Sequence, residues 1–544
     1  MLGKSDLNGV RGACDSPPRQ PRWYHTAPVR RRGLSPPILA SILASILASI
    51  LASILASILA AILAAILAAS ASLRPRVIRY DLPVPHRAPE TGAGGLSTTA
   101  FRSLMMRLRA LLVATILSLL LAATMKHDIS AQAPQEEFNY DETLVREYTL
   151  PDLLAGPDGQ AVATPKAWLT VARPRWLGLL ESSEYGRLLP AVPVTAEHVE
   201  RGPGPDGATR IQARLRLGHG PDAPTTDVLL YLPPSPNGGR QEKLPTFLHL
   251  NFGGNHAETP DPAVGIPSGW VPNGKETGVD NNQAKESSRG TLASRWPVKL
   301  LHDRGYATAT AYCGDVFPDH ADGRKASALP ALGFAVGDAR MVRGDEPGAI
   351  STWAWQLSRI LDWLVTLPEI DAERVIVVGH SRLGKTSLWA GAGDERFAMV
   401  VANESGCGGA ALERRNFGET VRRITTSFPH WFAPTFATYA DRETELPVDQ
   451  HVVLAMAAPR PLYVSSAAED LWADPRGEFL GAVAAGPAWK LFGKEGLGTD
   501  SFPAVNEPVG RTIGYHVRSG PHDITAVDWG HFADFAARVL PAAR

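Results

Sequence analysis

Beyond position 190, apolar residues gather into short runs rich in β-branched and aromatic side chains, separated by stretches with helical spacing. The runs at 228–232, 246–251, 307–312, 374–378, 399–402, 462–465 and 513–517 predict strands. Over 351–367, Trp353, Leu357, Ile360, Leu361 and Leu364 recur on one face and predict a helix. A second helix is predicted at 386–392, directly after the fourth strand. Strands that are apolar on both faces and alternate with helices predict an α/β fold. Its form is a three-layer sandwich, with helices on both faces of a mostly parallel central sheet. Active sites of such sheets lie beyond the carboxyl ends of the strands. The Pro- and Gly-rich stretches at 202–222 and 234–241 read as surface loops.

The N-terminal pattern is different. Residues 38–69 repeat Ile-Leu-Ala-Ser, drifting to Ile-Leu-Ala-Ala, without a charge. The length suffices for a bilayer, which needs about 20 apolar residues, and Arg30, Arg31 and Arg32 precede it. A period of four, however, drifts around a 3.6-residue helix and keeps no face. The repeat reads better as a translated tandem repeat in low-complexity sequence over 1–104, with a membrane anchor as the rival reading. Met105 and Met106 then open a second pattern: Arg107 and Arg109, an apolar stretch over 110–124, and Ala131-Gln132-Ala133. That stretch reaches roughly 22 Å, short of a ~30 Å hydrocarbon core. A secretory signal peptide at 105–133 is expected, with a single α/β domain over 134–544 that is secreted or periplasmic.

Charge sharpens this division. The 544 residues carry 54 Lys+Arg and 55 Asp+Glu, a net of −1. Of these, 15 basic and 5 acidic residues fall in 1–133, leaving 39 and 50 for the exported part. The near-neutral total rules out a strongly basic nucleic-acid binder. Three cysteines exclude a disulfide-dense scaffold or a cysteine-based zinc domain.

Candidate chemistry sits where the strands end. The strand at 374–378 runs through Gly379-His380-Ser381-Arg382-Leu383-Gly384-Lys385 into a helix, the strand–nucleophile–helix elbow that lifts a serine out of a sheet. Gly379 leaves room for the turn, and Gly384 lets the helix pack closely. Gly379 to Thr386 also fits the letters G-x-x-x-x-G-K-[ST], so a phosphate-binding turn is the rival reading of this segment. A serine nucleophile needs a base, and the base an orienting acid. His522 follows the last strand in Ser519-Gly520-Pro521-His522-Asp523 and is preferred to His531, which opens the final helix. Glu404 and Asp470 each follow a strand, and spacing leaves the acid open between them. Oxyanion donors are expected from the Arg382 N–H and side chain, with the Gly253-Gly254 turn as another. Asp315, Asp319 and His320 lie in a long segment, 313–349, that reads as a solvated insertion rather than a metal site.

From Gly379 to Lys385 the chain resembles the glucuronoyl esterases of carbohydrate esterase family 15, whose elbow reads Gly-x-Ser-Arg-x-Gly-Lys. The likeness extends over roughly 225–540, through Asn403-Glu404-Ser405-Gly406, Glu469-Asp470-Leu471-Trp472-Ala473-Asp474-Pro475 and His522. It implies an α/β-hydrolase fold. It also implies cleavage of the ester between a (4-O-methyl-)glucuronic acid of glucuronoxylan and a lignin alcohol. Ser381 is then the nucleophile, His522 the base, Glu404 the acid and Arg382 the oxyanion-stabilising residue, with Asp470 a second carboxylate seen in bacterial members. Lys385, Glu419 and Trp472 match residues that contact the sugar. No cofactor, no metal and no nucleic acid are implied, and a monomer is expected. The fungal cysteines beside the serine and histidine are here His380 and Asp523, which leaves Cys313 and Cys407 as a pair open to bridging. Rival readings are an acetyl-xylan or general carboxylesterase, or a non-catalytic carbohydrate-binding protein.

Overall fold

The computed structural model describes residues 138–540, apart from 157–158, 235–242, 276 and 336–342. The expected leader at 105–133, the 38–69 repeat and nearly all of the 234–241 loop lie outside the described residues. The chain divides into two units, Met1–Asp128 and Ile129–Arg544, and the sheet with its covering helices belongs to the second. Among the described residues, no helix is long and apolar enough to cross a membrane.

Seven strands stand where the apolar runs predict them: β3 (Thr225–Leu232), β4 (Leu244–Asn251), β5 (Ala307–Tyr312), β6 (Ile370–His380), β7 (Met399–Asn403), β8 (Leu462–Ala467) and β10 (Ile513–Arg518). Three more join them: β1 (Val194–Pro203), β2 (Thr209–Leu217) and the two-residue β9 (Val509–Gly510). The sheet order is β1-β2-β3-β5-β4-β6-β7-β8-β10-β9. The run β5-β4-β6-β7-β8-β10 is parallel throughout, so the carboxyl ends of six strands open on one edge. β1, β2 and β3 extend it antiparallel, with β1 outermost and its register shifted between Ala196 and His198.

The reading of 202–222 as a loop is corrected by β2. Its turn residues sit at the two ends of that strand, at Pro205–Gly207 before it and from Gly218 after it. Between them, Ile211, Ala213, Leu215 and Leu217 alternate inward while Gln212, Arg214 and Arg216 lie closer to solvent. Arginine-rich alternation is a half-buried strand, not a loop.

Both faces of the sheet are covered, and the central strands are buried on both sides along most of their length. Val375 and Val377 join one core with Trp353, Leu357 and Ile360 of the helix Ala349–Leu364. Ile376 and Val378, pointing the other way, join a second core with Trp529 and Phe532 of the helix Ala526–Val539. Each such side chain contributes about 1.5–3 kcal/mol on burial, so the strand cannot slip by one residue without losing both cores.

Candidate active site

At the end of β6, Ser381 adopts φ 57° and ψ −129°, a left-handed backbone that a non-glycine residue holds only when its surroundings impose it. Its N–H donates to the Asn403 carbonyl at 2.9 Å, and the helix Arg382–Gly393 starts at once. A Cβ on Gly379 would stand 1.8 Å from the Leu383 carbonyl oxygen, so only glycine fits beneath the turn. On Gly384 it would meet Ser405 Cβ at 3.0 Å, tight against the loop after β7.

That loop and the loops after β8 and β10 bring His522 between two carboxylates. Its Nδ1 lies 2.6 Å from Asp470 Oδ2 and 3.1 Å from Glu404 Oε2. Asp470, which spacing alone left level with Glu404, makes the shorter contact. Burial opposes the charged ring, but the two carboxylates outweigh it and push the His522 pKa up to about 9. Burial likewise raises Glu404, to about 7, against the pull of His522 and Arg518. Arg518, which no sequence pattern singles out, organises this corner. It donates from Nη2 to Glu404 Oε1 at 2.7 Å and from Nε to Asp528 Oδ2 at 2.9 Å. It also donates to the carbonyls of Ser519, Pro521 and Asp523, clamping the loop that carries His522. Glu478 does the same beneath Glu404, accepting from the Ser405 and Gly406 N–H groups and from Ser466 Oγ. His531 packs on His516, with ring centroids 4.7 Å apart, on the far side of this network.

Ser381, Arg382 and His522 line one cavity of about 320 Å³, with Phe252, Tyr312 and Arg295 among its walls. The Arg382 N–H belongs to the first turn of its helix and has no intrahelical acceptor. The Gly254 N–H is bonded to Asn251 Oδ1, so that turn offers only Gly253 to the cavity. Asp319 is not in a solvated loop. Its side chain is 6% exposed and accepts from Arg382, His430 and Trp431. Asp315 is engaged elsewhere, accepting from Thr226 Oγ1 and the Asp227 N–H, and His320 packs at a tilt against Trp270. The three form no common site.

Lys385 lies one turn into the elbow helix and is buried. Its Nζ donates to the carbonyls of Ser405 and Cys407 and stands 3.8 Å from Glu419 Oε2. Glu419 is buried in turn, and the Trp472 side chain hydrogen-bonds to it; burial raises its pKa against these partners. Trp472 is half-buried under Phe138, with ring centroids 4.8 Å apart. The three sugar-contact candidates thus form one connected group, outside the walls of the cavity at Ser381. Cys313 and Cys407 are both buried and unbridged. His380, Glu404 and His522 hold ligand-type atoms within 4.8 Å of one another. His380 Nδ1 donates to Asn403 Oδ1 and so carries a proton, and the Glu404 oxygens accept from Arg518 and the Asp523 N–H. A cation there would also face the guanidinium of Arg518.

Neither Asp319 nor Arg518 was legible as a site residue. Each acts on a partner distant in sequence, and the one available signal was position: Arg518 ends β10, and Asp319 lies in the segment after β5.

A family model described as glucuronyl esterase, fungi, matches residues 342–493. A carbohydrate esterase from an unknown prokaryotic organism is 44% identical over 412 residues, covering 75% of this chain and 94% of that protein. A 4-O-methyl-glucuronoyl methylesterase of Hypocrea jecorina is 36% identical over 156 residues, or 27% of this chain and 34% of the relative. Among solved structures, a promiscuous esterase of carbohydrate esterase family 15 from a marine bacterial metagenome superposes with a TM-score of 0.68 at 42% identity. It covers 74% of this chain and all of its own. A glucuronoyl esterase from Solibacter usitatus gives 0.67 at 42% identity, over 73% of this chain and all of its own.

Proposed function

The chain belongs to carbohydrate esterase family 15, the glucuronoyl esterases, and is a carboxylic ester hydrolase; from that premise we propose that it cleaves the ester joining (4-O-methyl-)glucuronic acid of glucuronoxylan to a lignin alcohol. The observation that carries the reading is the strained Ser381 sharing one cavity with Arg382 and with a histidine held by two carboxylates.

With Nδ1 engaged by Asp470, the His522 ring keeps Nε2 free to act as base. It takes the Ser381 proton as Oγ attacks the uronate carbonyl. The oxyanion meets the Arg382 N–H and guanidinium, fixed donors in a cavity that is apolar on several sides. The protonated His522 then gives its proton to the departing alcohol. A water activated by the same ring releases the glucuronate. Lys385, Glu419 and Trp472 serve the sugar, so binding away from the ester orients the reacting carbon. No step draws on a cofactor. A substrate in plant cell wall requires export, which fits the leader expected at 105–133 and a secreted or periplasmic enzyme.

The test is kinetic. Methyl glucuronate should be cleaved with a higher kcat/KM than methyl galacturonate or a simple acetyl ester. Ser381→Ala should lower that value by about 10⁴-fold or more with the thermal midpoint retained. Preference for the acetyl ester would instead make the protein an acetyl-xylan or general esterase, and activity retained in the variant would reject Ser381.

A further inference from the structure

The segment 313–349 between β5 and the helix Ala349–Leu364 supplies a carboxylate that reaches the elbow from outside. We propose that Asp319 is a positioning residue for the ester-cleaving reaction, holding the Arg382 guanidinium in the orientation the oxyanion needs; this rests on the reading of Arg382 as an oxyanion donor.

Every acceptor site that matters on Asp319 is used. Oδ2 accepts from Arg382 Nη1 at 2.6 Å, and Oδ1 accepts from His430 Nε2 at 2.8 Å and Trp431 Nε1 at 2.7 Å. Burial alone would protonate it, but these three donors hold its pKa at about 2, so it is charged wherever the enzyme works. Arg382 is the exposed partner, at 30% against 6% for Asp319. Its guanidinium carbon lies 4.8 Å from the Trp431 ring, 5.4 Å from Phe252 and 5.9 Å from Phe428. Phe428 and Trp431 are themselves stacked 3.8 Å apart. One carboxylate and three ring faces therefore enclose the guanidinium, and its Nε is buried with no acceptor.

Charge alone would not choose this arrangement. A carboxylate in contact with Arg382 cancels part of the positive potential an oxyanion would feel, and a neutral acceptor would cancel less. What Asp319 supplies is geometry. An arginine carries about 2 kcal/mol of rotamer entropy, and a donor helps only within roughly 0.5 Å of its productive position. At the wall of an open cavity, an untethered guanidinium would turn to water. Trp431 does double duty, fixing Asp319 through its indole N–H and Arg382 through its face. Asp319 takes one N–H of Nη1, which leaves the exposed N–H groups at the Nη end as the donors for the substrate oxygen.

The test uses methyl glucuronate, with 4-nitrophenyl acetate as a second substrate should the first not be cleaved. Asp319→Asn should lower kcat by about 10–100-fold and leave KM within about threefold, short of the ~10²–10³ lost when a donor is removed outright. In the Arg382→Ala background, Asp319→Asn should cost nothing further, since there is no guanidinium left to place. Trp431→Phe should give a smaller kcat loss of the same kind. An unchanged kcat in Asp319→Asn, or a loss that adds in full to that of Arg382→Ala, overturns the proposal and leaves Asp319 a structural residue. If Asp319→Asn does not fold, Trp431→Phe decides by the same criterion. If Arg382→Ala retains full kcat on either ester, it is the assignment of Arg382 that fails.

Discussion

His522 has to be neutral to accept a proton, yet its surroundings favour the charged ring. With the pKa pushed up to about 9 against burial, most rings are protonated at pH 7 in the free enzyme. We therefore expect kcat/KM to rise through the neutral range and level off above about pH 9. The two carboxylates do not share this effect evenly. Glu404 spends its Oε1 on Arg518 at 2.7 Å, whereas Asp470 gives His522 the shorter contact. Asp470→Asn should accordingly move the rise to lower pH by roughly 1–2 units and cost more activity at pH 8 than Glu404→Gln. A pH profile of the three proteins decides it; a larger effect from Glu404→Gln would return the orienting role to the acid that the family resemblance implies.

At the level of elements, the elbow is the least negotiable part of the fold. A methyl group on Gly379 would meet the Leu383 carbonyl at 1.8 Å, backbone that cannot yield without unwinding the helix that presents Lys385. Gly379→Ala should destabilise by at least about 3 kcal/mol in urea unfolding. Gly391→Ala on the same helix meets the Val400 side chain, with Cγ2 at 2.4 Å, which can shift, and should cost less. The strands feeding this turn were legible in sequence because burial on both faces makes them continuous apolar runs. β2 was not, because its inward Ile211, Ala213, Leu215 and Leu217 are diluted by Gln212, Arg214 and Arg216 and preceded by a Pro-Gly turn. In the site, Ser381, His522 and both acids were visible as polar residues just past strands. Asp319 and Arg518 were not, because no local pattern says which distant charge a buried ion meets. Lys385 was visible as a cation on the helix, but the two carbonyls that hold its Nζ come from chain 20 and 22 residues away.

Across the whole molecule, buried acids set how stability responds to pH. Burial pushes Glu184 and Glu478 each up to about 8, against an ordinary value of 4.5. Both keep a proton in the folded state that the unfolded chain has already lost, so their penalty grows as pH rises from about 4.5 and is complete above about 8. His522 acts in the same direction between about 6.5 and 9, its folded form holding the proton longer. His256, held down to about 4 by burial, works the opposite way, but only below about 6.5. Between pH 6.5 and 9 the two glutamates, up to about 8, and His522 throughout lower stability as pH rises, while His256 no longer contributes. The urea midpoint should fall across that interval, and Glu184→Gln should flatten the decline; a midpoint that rises would contradict the buried-acid account.

The outer strands carry a consequence for the molecule in company. A sheet ending in a long, flat strand invites a neighbour's backbone to continue it. Here the outermost β1 is broken in register at Ala196/His198, lined with Glu197, Glu200 and Arg201, and closed by Pro203, while β9 at the other end is only two residues long. Among the described residues, neither end offers a template on which copies of the chain would stack into aggregates.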